Sequence, residues 1–323
     1  MTAALGTDIA RAASLIREGG LVAFATETVY GLGANVYDVR AIGRIFEAKE
    51  RPAFDPLIVH IGVRNWIENI AASVTPLAYK LIDAFWPGPL TLVLPKTPRI
   101  PDLATAGLST VGVRMPWHAS AIELLREAKV PIAAPSANRF GHVSPTSAEH
   151  VAEQLGDRID YILDGGPCTV GVESTILDVT GEQAVLLRPG GLPLEAIESL
   201  IGPVRLLAAT SAPNEPQPSP GRLLRHYATR TPLVIADLEE PPPRDGRVGL
   251  LTLTARPDDQ HYAAVEVLSP REDLAEAAAN LFAAMRRLDA RGLDQIVARL
   301  VPDVGLGRAI NDRLRRASRR GDH

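Results

Sequence analysis

Lys49 and Arg51 stand two residues apart in FEAKERPAFDPLIVH (46–60), at the end of a helical pattern and just before a proline and an apolar strand. Arg114 in TVGVRMP and Arg188 in AVLLRPG likewise lie along or at the ends of strand patterns, beside Gly, Ser or Pro turns. In α/β sheets ligands collect at such strand-to-loop junctions. Several cations there suit a polyanion, with arginine offering flat two-pronged recognition and lysine a point charge. Taken singly, each also fits a solvated surface charge. Hydroxyl and amide groups occupy matching places in TETVYGLG (26–33), PSAN (135–138), HVSPTS (142–147) and VEST (172–175). Together with backbone N–H groups they can cradle phosphate oxygens or a small zwitterion; one at a time, such residues also serve as caps and turns.

The motifs for other chemistries are missing. The chain has no GxxxxGK[ST], no G-x-G-x-x-G opening a helix and no GxSxG elbow around Ser136. Cys168, the single cysteine, has no histidine in its GGPCTVGV motif and reads as a small buried residue rather than a nucleophile. The seven histidines form no metal-ligand spacing, so no structural metal is expected. His60 closes the PLIVH strand near Lys49, where it serves equally as a satisfied strand end or as a ligand contact.

The elements that must position these groups follow from period and punctuation. With 323 residues, 46% hydrophobic and 22% charged, the chain is globular and long enough for two cores. Its net charge of −4 argues against a polycation built around a nucleic-acid backbone, so any basic site must be concentrated. No stretch is long and apolar enough to span a bilayer, and the first twenty residues carry acid and base without an apolar signal core. A cytoplasmic protein without membrane attachment is expected. Thr7 is the expected cap of a first helix ending at Gly19-Gly20, followed by a strand over 21–26. Asp38 caps a second helix with Ile42, Ile45 and Phe46 on one face and Lys49 in its last turn. Strands are expected over 56–61, 90–95 and 110–116, and helices over 76–86, 119–129 and 146–156. YILD, STILDVT and AVLLRPG follow closely and are expected to pair as hairpins, which makes the sheet mixed. The stretch 209–221 is proline-rich and polar, the composition of a linker. Beyond it VGLLTLT, AAVEVLS, a long helix from Ser269-Pro270, LDQIVARLV and a basic helix spell a small Rossmann-like α/β domain. The expected division is 1–205, a linker over 206–230, and 231–323. The Arg, His and Tyr in SPGRLLRHYATRTPL (219–233) either dock the linker on the second domain or close it over the first as a lid.

Taken in order, TETVYGLG, AKERPAFDPLIVH, WPGPLTLVLP, TVGVRMP, APSAN, SPTSAEHV, VESTILD and LLRPGG resemble the YrdC-like threonylcarbamoyl-AMP synthases over residues 8 to about 202. SPGRLLRHY and the second domain resemble the long form of that family. The resemblance implies a YrdC-like twisted mixed sheet and a reaction of L-threonine, bicarbonate and ATP, with Mg2+ accompanying the nucleotide. Its product would pass to a tRNA threonylcarbamoyl-transferase that modifies the adenosine beside the anticodon. The spaced pairs Lys49/Arg51 and Ser136/Asn138 are the family signature and by that resemblance the catalytic residues, with Lys49 and Asn138 neutralising or orienting phosphate and carbamate. By motif, Thr28, His60, Arg114 and Ser174 would hold threonine. Arg51, Asp55, Thr110, Ser136, Ser144 and Arg188 would surround ATP, with Tyr227 reaching in from the linker. Two departures stand out: Glu50 where the family has Gly, and Asp55 where it often has Asn. The competing reading is a module that holds double-stranded RNA or tRNA without turning over ATP. Hydrogenase maturation proteins of the same fold are longer chains with cysteine-rich segments, which a chain with one cysteine does not match.

Overall fold

The computed structural model describes residues 3–52, 54–207, 226–236 and 246–319. The proline-rich stretch 209–221 lies outside the described residues. Each strand is short, and four helices of the first half are each started by a side chain that satisfies orphan amides. Asp8, rather than Thr7, caps α1 (Ile9–Arg17) by accepting from Arg11 N at 2.9 Å. Asp38 caps α2 (Val39–Lys49) by accepting from Arg40 N and Ala41 N. Thr75 and Ser147 do the same for α3 (Pro76–Phe85) and α5 (Ala148–Leu155); α4 (Ala119–Ala128) and α6 (Leu194–Ile201) complete the helices of this half.

The strands of this half are β1 (Ala4–Gly6), β2 (Val22–Phe24), β3 (Gly31–Asn35), β4 (Ile58–His60), β5 (Leu90–Pro95), β6 (Thr110–Arg114), β7 (Ile132–Ala133), β8 (Tyr161–Leu163), β9 (Thr175–Asp178), β10 (Val185–Arg188) and β11 (Arg205–Leu206). They form one mixed sheet in the order β1-β8-β2-β3-β7-β4-β6-β5-β9-β10-β11. The expected hairpins hold for β9 and β10, which pair antiparallel. YILD departs: β8 pairs parallel with β1 and β2 at the other end of the sheet. The segment after it is not a tight turn, because its backbone bonds to site loops, Cys168 N to Thr146 O and Val170 N to Glu27 O.

Strand alternation assigns the two faces. Val59, Ile61, Val111 and Val113 face the main core, which α2, α3, α5 and α6 cover. On the opposite face α1 and α4 pack over Val22, Phe24 and Ile132 at one end. There the register sets Ile58 beside Gly112 and His60 beside Arg114 in the middle of the sheet. That middle strip is the floor of the cleft.

A second, four-stranded parallel sheet orders β12 (Leu233–Ala236), β15 (Gln295–Arg299), β13 (Val248–Thr252) and β14 (Ala264–Val267). Strand β12 was not expected from the sequence. Helix α7 (Leu274–Asp289) begins after Asp273, later than Ser269-Pro270, and α8 (Gly307–Ala317) follows. Their core includes Phe282, Leu281 and Ile310 and takes in Val29, Val143 and Val172 of the first sheet's loops. Gly171 permits the approach: a Cβ there would stand 2.4 Å from Ala278 O and Ala279 Cα. Among the described residues no helix is long and apolar enough to cross a membrane.

Candidate active site

A cleft lies over the strip and is walled by Thr28, Arg51, His60, Arg114, Ser136, Glu173, Ser174, Arg188, His226 and Tyr227. Eight of the sequence-selected residues therefore meet in one place: Thr28, Arg51, His60, Arg114, Ser136, Ser174, Arg188 and Tyr227. Residues far apart in the chain converge because β4, β6 and β10 all end there and the β2–β3, β7–α5 and β8–β9 connections fold over it.

Arg114 is buried at one end. Its Nη1 donates to Thr28 Oγ1 at 2.8 Å, its Nε donates to Gly88 O at 3.2 Å, and Nη2 lies 2.7 Å from Glu27 Oε1. The last contact is an ion pair without hydrogen-bond alignment. Thr28 is fixed in turn by Thr26, whose hydroxyl donates to Val29 O at 2.6 Å. His60, edge-on to Phe24, shares this end with Arg114. The result is a buried guanidinium flanked by a hydroxyl and an imidazole, suited to a small carboxylate.

Arg51 and Asp55 form a buried ion pair at 3.0 Å, and Arg51 also donates to Asp55 O and Pro56 O. Asp55 stands behind the cleft wall, where burial raises its pKa against the pull of Arg51. It holds Arg51 at the wall rather than facing the cleft. Lys49, 1% exposed, also sits behind the wall. Its Nζ donates to Ser136 O at 2.5 Å and to Asn138 O, and the Asn138 amide donates to Arg139 O and His142 O. This signature pair thus ties down the loop that presents Ser136. Glu50 between the two cations adopts φ 54°, the left-handed helix end that glycine favours. Its carboxylate is bound by Arg139 at 2.6 Å and Arg158 at 2.8 Å, contacts a glycine could not make.

Elsewhere on the wall, Arg188 donates to Ser174 O at 3.0 Å, and Ser174 Oγ meets Thr91 Oγ1 at 2.8 Å. Ser144 stands behind and donates to Glu173 Oε1 at 2.6 Å. Burial works to raise the Glu173 pKa, but Arg313, Arg188 and the Ser144 hydroxyl outweigh it and bring it down to about 2. Tyr227, fully buried at φ 65°, stacks on Phe282 with ring centroids 5.5 Å apart. Thr110 lines a neighbouring, largely apolar depression that shares Ile58 with the cleft. Glu27, Glu173 and His226 were not selected from the sequence. Glu27 lies in TETVYGLG and Glu173 in VEST, where an acid amid small polar residues is the one sequence signal. Burial pushes the Cys168 thiol up to about 12, leaving it unreactive at neutral pH.

His60 and His226 are buried imidazoles held neutral. Burial, aided by Arg114 for His60 and by Arg51 and Lys49 for His226, brings each down to about 3. In the unfolded chain they protonate near about 6.5. Between those values the unfolded state binds more protons, so stability is full above the unfolded value and falls as pH drops toward the folded one. Melting temperature followed against pH should be level above about pH 7 and decline below about 6.5. Replacing His226 by phenylalanine should make that decline shallower.

A mixed sheet gathers buried arginines over a small-ligand cleft, an arrangement suited to an anionic ligand. A family model described as telomere recombination (Sua5, YciO, YrdC) matches residues 14–190, and one described as threonylcarbamoyl-AMP synthase, C-terminal domain, matches 192–319. The threonylcarbamoyl-AMP synthase of Pyrococcus abyssi is 47% identical over 95% of this chain and 93% of its own. That of Bacillus subtilis is 45% identical over 96% and 92%. The crystal structure of P. abyssi Sua5 complexed with L-threonine superposes with a TM-score of 0.89 at 44% identity, covering 98% of each chain. The chain belongs to the threonylcarbamoyl-AMP synthase family, in its two-domain form.

Proposed function

We propose that the chain makes L-threonylcarbamoyl-adenylate, pyrophosphate and water from L-threonine, bicarbonate and ATP. The observation that carries this reading is one cleft with two kinds of anion site, Arg114 with Thr28 at one end and Arg51, Ser136 and Arg188 beyond it. The threonine amine and bicarbonate give a carbamate and water. A carbamate oxygen then attacks the α-phosphorus, and the bond to pyrophosphate breaks. The amino acid carboxylate pairs with Arg114, its hydroxyl and carbamate lie toward Thr28, His60 and Ser174, and the phosphates meet Arg51, Ser136 and Arg188. Lys49, Asn138, Asp55 and Ser144 act through the groups they hold. The depression beside Thr110 takes the nucleoside half. Positioning and cationic stabilisation of phosphate charge supply most of the rate.

Mg2+ would accompany ATP and would offset part of the phosphate charge. Glu173 is the carboxylate on the cleft wall, and Arg313 and Ser144 already engage it, which makes it a poor metal ligand. The catalytic domain spans 1–205, the linker 206–230 and the second domain 231–323, a division supported by two separate sheets. Tyr227 and His226 on the cleft wall support a linker that closes the site. The product is consumed in the cytoplasm by a tRNA threonylcarbamoyl-transferase.

Pyrophosphate release from ATP by the full chain, with bicarbonate and with or without L-threonine, tests the reading. Threonine-dependent release is expected. Release indifferent to threonine would overturn it.

A further inference from the structure

We infer that Arg313, from the last helix of the second domain, is a positioning residue that neutralises Glu173 and so keeps Arg188 directed at the nucleotide phosphates. The inference rests on the ATP-using reading of the cleft. Arg313 is fully buried, and its Nε donates to Glu173 Oε2 at 2.9 Å across 140 residues of sequence. Its Nη1 donates to Pro189 O at 2.8 Å, the carbonyl next to Arg188, and to Asp312 Oδ2 at 2.8 Å. The guanidinium also lies 5.3 Å from the centre of the Tyr227 ring. One side chain therefore touches the carboxylate of the cleft wall, the backbone beside a cleft arginine and the tyrosine that borders the cleft.

The electrostatics give this contact its consequence. Glu173 shares the cleft wall with Arg188, which donates to the backbone and hydroxyl of the very next residue, Ser174. A buried carboxylate without a cation recruits whichever is nearest, because an unpaired charge in a low-dielectric site is costly. With Arg313 present, Oε2 is paired and Oε1 accepts from Ser144. Without it, Glu173 turns on Arg188, and the incoming phosphate must compete with a carboxylate. The second domain is by this account part of the nucleotide site. Gly171, two residues before Glu173, lets that loop press directly on α7 of the second domain.

The test measures affinity for α,β-methylene ATP by calorimetry on the full chain, independently of turnover, beside threonine-dependent pyrophosphate release. Arg313→Met is expected to weaken nucleotide binding about tenfold to a hundredfold, the size of one charge-assisted hydrogen bond, with the KM for threonine within about threefold of wild type. Adding Glu173→Gln to Arg313→Met removes the competing charge and is expected to restore most of the nucleotide affinity. A merely structural role predicts instead that the second substitution restores melting temperature, while the folded single variant already binds nucleotide like wild type. Unchanged affinity in folded Arg313→Met, or a double variant no better than the single, would overturn the inference. If Arg313→Met does not fold, the double variant, which leaves no buried charge unpaired between these two positions, carries the comparison: weak nucleotide binding in it when folded also overturns the inference. Wild-type release indifferent to threonine would instead count against the synthase reading, leaving the calorimetric comparison to judge Arg313.

Discussion

Replacing Lys49 by methionine should lower kcat/KM for pyrophosphate release by about a hundredfold or more, the cost of displacing a positioned group by roughly an ångström. Methionine fills much the same space but donates nothing. The carbonyls of Ser136 and Asn138 then lose the Nζ donor that both accept from. Each buried carbonyl left without a donor costs about 1–3 kcal/mol, so thermal stability should fall together with activity. That joint fall is the diagnostic. A lysine that touched phosphate directly would lose nucleotide affinity with little change in melting temperature, and that outcome would sink the scaffold role. The protonation state of Lys49 follows the same geometry: burial, then the nearby Arg51, hold its pKa well below the ordinary lysine value.

Arg114→Lys should raise the KM for threonine about tenfold to a hundredfold, while nucleotide affinity stays near wild type. Lysine keeps the positive charge that Glu27, 2% exposed, requires, so the fold should survive. It cannot keep the fork that joins Thr28, Gly88 and Glu27 and still presents a planar face to a carboxylate. Arg114→Ala is the harsher change. It strands the Glu27 charge and should cost about 3–5 kcal/mol of stability, measurable by urea unfolding. A lysine variant with an unchanged threonine KM would move the carboxylate site elsewhere in the cleft.

Glu50 shows how a departure from the family pattern is accommodated. A left-handed residue other than glycine carries a steric cost of about 1–2 kcal/mol. Two arginines converge on its carboxylate at the surface and offset part of it. Arg51 is left in place one residue further on, on the cleft wall.

The sequence by itself determined the alternation of apolar strands and capped helices, the mixed sheet, and the motifs whose residues line the cleft. These are short-range matters: a period of two or 3.6, a capping carboxylate, a proline after a helix, each readable within about ten residues. Whether a cation in a motif faces ligand or scaffold is not short-range. Lys49 and Arg51 read alike in the sequence, yet Arg51 reaches the wall and Lys49 ties down a loop nearly ninety residues away. The placement of β8 beside β1 and β2 rather than β9 was likewise decided by where a connecting segment found backbone partners. Glu173 and Arg313 are the extreme case. An acid in VEST and one arginine among several in a basic helix carry no local mark of each other. Only packing the second domain on the first buries them together, and burial is what turns two ordinary charges into a pair that must be satisfied.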